Sequence, residues 1–129
     1  INNGSGSFTE STQNLGSAAG YPQFIDVADI DNDGDVDLYV VNGRYPAGEP
    51  NKLFVNNGNG TFTEGAAAAG VNDANWGLGS SFADVDNDGD QDLFVSNYIG
   101  GNNLCADSNK RKPATWMGGT ANAIQILQR

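Results

Sequence analysis

Two nine-residue segments, DIDNDGDVD at 29–37 and DVDNDGDQD at 84–92, repeat one pattern, each with five aspartates and a glycine at the sixth place. Five carboxylates in so short a loop repel one another strongly unless a counter-ion sits among them. The repetition extends outwards. Positions 28–42 and 83–97 agree at 11 of 15 places, and 1–10 (INNGSGSFTE) agrees with 55–64 (VNNGNGTFTE) at 7 of 10. Asp29 thus recurs as Asp84 and Ile1 as Val55, so one period runs through almost the whole chain. In 129 residues it leaves room for one small tandem unit, not two separate cores.

Each period divides into short strands. Apolar runs at 24–27 and 80–85 lead into the acidic segments, and DLYVVN at 37–42 and DLFVSN at 92–97 leave them with β-branched and aromatic residues. KLFVN at 52–56 is a third strand, and the turn Asn57-Gly58-Asn59-Gly60 returns the chain into a fourth at 61–64. Only 11–19 and 64–69 have helical character, and both are short. Gly occurs 18 times, and Asn and Asp are also abundant, a share of turn-formers that leaves little for long helices. The expected class is all-β: propeller-type, four-stranded antiparallel blades, about two per chain. Residues 1–10 read as the fourth strand of a blade, 21–64 as a complete blade, and 76–129 as an incomplete blade with an insertion at 99–121. NAIQI at 122–126 aligns with NKLFV at 51–55 as a third strand. The strands then sum to two whole blades with the cut inside one of them. The expectation is completion by strand exchange between copies, closing a ring or propagating as a filament, or else membership of a larger propeller.

The acidic segments carry the chemistry. Hard oxygen donors at alternating positions, with glycine at the sharp turn, suit a calcium ion that takes six to eight oxygens. Asp29, Asp31, Asp33 and Asp37 offer side chains and Asp35 its carbonyl. The second set is Asp84, Asp86, Asp88 and Asp92, with the carbonyl of Asp90. Asp35 and Asp90 have outer-shell charge as their alternative role. An EF-hand opens in the same way but needs a glutamate at the twelfth place, where this chain has Val40 and Val95. Magnesium suits a dense all-protein oxygen cage less well than calcium does. The remaining alternative, a solvated acidic turn, does not explain why the spacing and glycine recur. Two bound calcium ions would move the formal charge from −10 to −6, so folding is expected to depend on the metal.

DIDNDGDVDLYVVN, DVDNDGDQDLFVSN and NKLFVNNGNGTFTE resemble the FG-GAP/VCBS repeats of integrin-α-like β-propellers, and AAGVNDANWGLGSSFADVDNDGDQDLFVSNY is most similar to the cartilage acidic protein and UnbV-like branch. The resemblance covers roughly residues 1–105. It implies four-stranded blades with calcium between the first and second strands. It also implies extracellular or cell-surface proteins of adhesion and ligand binding, seldom of catalysis. Insertions in that branch often carry Cys and Lys-Pro, a layout matched by Cys105 and Lys112-Pro113, although a second cysteine is missing.

Composition closes other routes. The chain has no histidine, which excludes Ser-His-Asp and Cys-His catalysis and His-ligated zinc, and a single cysteine, which excludes an internal disulfide. An excess of 16 acids over 6 bases leaves no basic stripe for a nucleic acid. No apolar run approaches the ~18 residues of a membrane span, and no leader pattern opens the chain, which reads as mature or as excised from something larger. Asn3-Gly4-Ser5 and Asn59-Gly60-Thr61 are glycosylation sequons. Trp76 and Trp116 read as blade aromatics in preference to sugar-stacking platforms. Glu49, Glu64 and Asp73 form no spacing that marks an acid and a nucleophile. The functional expectation is a calcium-binding structural or adhesion repeat that associates head to tail with itself. The alternative is a piece of a larger propeller that binds a protein or glycan.

Overall fold

A computed structural model describes residues 2–10, 13, 15, 21–43, 49–98 and the backbone of 122–127. The 99–121 insertion, with Cys105 and Trp116, and most of 11–19 lie outside the described residues. Among the described residues, seven strands and one helical turn follow in order: β1 (Pro22–Ala28), β2 (Asp37–Asn42), β3 (Lys52–Asn56), β4 (Phe62–Glu64), α1 (Ala66–Ala69), β5 (Trp76–Ala83), β6 (Asp92–Tyr98) and β7 (Asn122–Leu127). They form a four-stranded sheet, β1-β2-β3-β4, and a three-stranded sheet, β5-β6-β7, with every neighbour antiparallel. Both sheets are meanders, because the strands that neighbour one another in each sheet are consecutive in the chain.

The core lies between the sheets. Tyr39, Val41 and Leu53 from the first face Leu93 and Val95 from the second, and Phe82 packs its ring edge-on to Tyr39 at 6.3 Å and 82°. Burying side chains of this size stabilises the pair by about 1.5–3 kcal/mol each. Cross-strand partners share a face, so Leu38, Val40, Phe54, Ile25 and Val27 occupy the opposite side of the first sheet. There Ile25 and Val27 are 58% and 53% exposed.

Strand β5 begins at Trp76, before the run expected at 80–85, and it ends at Ala83 where the acidic loop starts. Its first residues, Trp-Gly-Leu-Gly, have little intrinsic strand tendency. Close approach of the sheets explains them. A Cβ on Gly77 would collide with Val41 Cγ1 and stand 2.8 Å from the Asn42 carbonyl, so a methyl there would force the sheets apart. The half-buried Trp76 ring lies against Gly43 in the same seam.

A polar belt ties the two units together. Val71–Asn75, the segment entering β5, accepts the Tyr39 hydroxyl on the Val71 carbonyl (2.7 Å) and the Asn51 N–H on the Asp73 carbonyl (2.8 Å). The Asp73 carboxylate takes the side-chain amides of Asn75 and Asn97. Fully buried Asn51 donates to the Tyr39 oxygen at 3.0 Å and accepts the Asn42 N–H at 2.8 Å. Burial pushes the Tyr39 phenol up to about 12.

Residues 2–8 form a turn in the register of the β3–β4 turn. The Asn2–Phe8 bridge corresponds to Asn56–Phe62, and the Asn3 N–H bond to the Ser7 carbonyl (3.0 Å) corresponds to that from Asn57 to Thr61 (2.9 Å). Among the described residues this turn joins neither sheet, and Phe8 is 76% exposed.

Candidate metal centre

Each acidic segment forms the connection between the first two strands of its sheet, β1 to β2 and β5 to β6. The chain must reverse there within a short loop, and the backbone does so through left-handed positions. Asn32 and Asn87 have φ of 62°, and Gly34 and Gly89 have φ of 92° and 96°. Asparagine tolerates the first position and glycine is needed at the second, which is the local reason for the recurring Asn-Asp-Gly.

The two loops make the same internal bonds. Asp29 accepts the N–H groups of Asp33 and Gly34 at 3.2 and 3.0 Å, and Asp84 accepts those of Asp88 and Gly89 at 3.2 and 3.0 Å. Asp33 accepts the Asp35 N–H at 2.8 Å and Asp88 accepts that of Asp90 at 2.9 Å. Asp37 and Asp92 are buried and close the loops by accepting from Ile30 and Val85, both at 2.9 Å. The other Asp37 oxygen accepts the Asn56 N–H at 2.7 Å and ties the loop to β3.

This folding draws carboxylates together. One oxygen from each of Asp29, Asp31 and Asp37 lies within 4.8 Å of the others, and Asp84, Asp86 and Asp88 do the same in the second loop. Partial desolvation, followed by the charges of Asp33 and Asp37, holds the Asp31 carboxyl above its usual range; a backbone hydrogen bond from Asp33 opposes the rise and the Asp29 charge adds to it. Asp86 is raised by the same causes, with desolvation first and then Asp88 and Asp92. The donor set is all oxygen, anionic and mutually repelling, so it fits a hard divalent cation. The Asp35 carboxylate stands at the β3–β4 turn, where a Cβ on Gly58 would be 2.7 Å from Oδ2. The Asp90 carboxylate accepts the Asn32 side-chain amide from the other loop at 3.1 Å.

Sequence reasoning missed two participants, Asn32 and Asn56. Asn32 recurs as Asn87 in the motif, which marks the turn but not its side-chain partner. Asn56 acts on Asp37 through its backbone N–H, which leaves no residue-type signal, and each acts on residues remote in sequence.

Paired meander sheets with an Asp-rich, cation-fitting loop after each first strand define a tandem β-repeat protein. The sequence profile of the FG-GAP-like repeat matches residues 1–40 and 40–95, and the chain belongs to that family. Cartilage acidic protein 1 of Mus musculus is 46% identical over 56 residues, covering 43% of this chain and 9% of that protein. Its Homo sapiens counterpart is 45% identical over 56 residues, covering 43% of this chain and 8% of that protein. The match thus spans less than a tenth of either relative. No solved structure gives a significant match. Among the described residues no helix is long and apolar enough to cross a membrane.

Proposed function

We propose that the chain is a calcium-binding, non-enzymatic repeat module of an extracellular or cell-surface protein, whose blades stack head to tail with those of further copies. The observation that carries this reading is the duplicated loop, which gathers three carboxylates at each of two equivalent places in the repeat. Calcium is the ion that the oxygen donors suit, and Asp29, Asp31, Asp33, Asp37 and their counterparts Asp84, Asp86, Asp88, Asp92 would hold it. Asp35 and Asp90 would contribute backbone carbonyls. Bound calcium offsets two of the five negative charges of each loop and fixes the first two strands of each blade relative to one another. Calorimetric titration should give two ions per chain at neutral pH, falling to one in Asp31→Asn or Asp86→Asn. A wild-type titration without binding heat or stoichiometry would refute the metal reading.

The stacking follows from the repeat. Leu38 and Val40 hold the places of Leu93 and Val95, which Tyr39 and Val41 cover within the chain. Phe94 and Ser96 in turn hold the places of Tyr39 and Val41. One end of the two-blade unit therefore carries the face that the other end is shaped to cover, a heterologous contact that closes into a ring or propagates. Residues 2–8 supply a turn whose register suits the outer edge of β7 in another copy. Sedimentation in millimolar calcium should give masses above that of one chain, increasing with concentration. A single-chain mass at all concentrations would remove self-association and leave the blades as part of a longer propeller.

A further inference from the structure

Resting on the calcium reading above, we propose that Asn32 of the first loop is a positioning residue for the second calcium site, so that this site is tuned by the neighbouring blade. Asn32 and Asp90 are 58 residues apart, and their 3.1 Å bond joins the two acidic loops directly. Asn32 lies between two candidate ligands of its own loop, Asp31 and Asp33. Asp90 lies between Asp88 and Asp92 in the other.

The contact has a defined chemistry. Asp90 is the residue whose backbone carbonyl is assigned to the ion, and its N–H is already held by Asp88 at 2.9 Å. An amide donor on its carboxylate fixes the side chain while leaving the carbonyl to the ion. It also disperses one of the charges that crowd the loop. Groups that orient ligands in this way commonly change metal affinity tenfold or more, and solvent exposure of this pair reduces the effect. Asn87 repeats the place and the φ of Asn32 in the second loop.

The test uses the full chain with calcium alone as titrant. Asp31→Asn silences the first loop and leaves the second to be read. In that background Asn32→Gly, which keeps the left-handed backbone without strain, should weaken calcium binding by about three- to tenfold. Asp90→Ala should weaken it by a similar factor, and combining the two should cost little more than either alone. Asp90→Asn, which keeps an acceptor oxygen, should restore most of the affinity. The metal-free melting temperature should be unchanged by Asn32→Gly, which separates positioning of the ion site from general support of the fold. Should the Asp31→Asn background fail to fold, the same variants in the wild-type chain should weaken one of two sites. Unchanged affinity in Asn32→Gly, with the wild-type chain still taking up two ions, overturns the coupling alone. A wild-type chain that takes up none overturns both the coupling and the reading on which it rests.

Discussion

Adding calcium to the metal-free chain is expected to raise its melting temperature by on the order of 15 °C. Each ion that binds only the folded state contributes about 2.7 kcal/mol when free calcium is a hundredfold above the dissociation constant. Two sites together reach about 5 kcal/mol, a large share of the stability of a domain this size. The loops also begin from a strained position, since Asp31 and Asp86 are held above the usual carboxylate range by desolvation and by neighbouring aspartates. The sign of the pH effect follows. A carboxylate whose folded pKa is raised contributes stability that is present below its unfolded value and lost as pH rises through the folded one. In chelator these two groups therefore favour the fold at acid pH and oppose it at neutral pH. Calcium reverses the preference, because the ion needs the charged form, so the thermal increment should shrink as the pH falls toward the carboxylate range. Identical melts in millimolar calcium and in chelator at neutral pH would contradict the expectation.

Asp37→Ala is expected to destabilise the protein by about 2–5 kcal/mol even in chelator, before any metal is considered. Asp37 is 1% exposed, and its two oxygens hold the N–H groups of Ile30 and Asn56. Removing the carboxylate leaves both donors without that partner, each costing about 1–3 kcal/mol where water cannot replace it. It also cuts the tie between the loop and β3. Asp31 provides the contrast. It is exposed and crowded by like charges, so Asp31→Asn should leave metal-free stability unchanged or slightly higher while removing one calcium site. Urea unfolding in chelator separates the two variants. Equal midpoints for Asp37→Ala and wild type would show that the buried carboxylate has no structural part.

These two outcomes divide the aspartates of each loop by task. Asp37 works as a cross-tie and as a candidate ligand at once, whereas Asp31 is exposed, crowded by like charges and held by a backbone hydrogen bond from Asp33. Asp29 stands between them, with both oxygens accepting backbone N–H groups from the turn it would help to fill. A loop built in this way is largely shaped before the ion arrives. A calcium ion binding there would relieve repulsion and would not have to order the whole segment.

Features with local causes were readable from the residues alone. Repetition of Asp-Asn-Asp-Gly identified the loops because the turn needs left-handed backbone at Asn32 and Gly34, and those residue types are the ones that tolerate it. The Asn-Gly turns and the apolar runs likewise placed β2, β3, β4 and β6 near their observed positions. Which face of each strand turns inward was not legible. Both sides of β2 and β6 are apolar, and the repeats use opposite phases: Tyr39 and Val41 point into the core from one, Leu93 and Val95 from the other. Alternation cannot distinguish two apolar faces, so only the packing of one sheet on the next decides. Tertiary structure also made a strand of Trp76–Gly79, where the absence of a side chain at Gly77 lets Val41 approach, and placed Asn51 under the Tyr39 hydroxyl. It joined Asn32 to Asp90 across 58 residues. Such contacts are invisible to local pattern because their partners meet only after both sheets have formed and packed together.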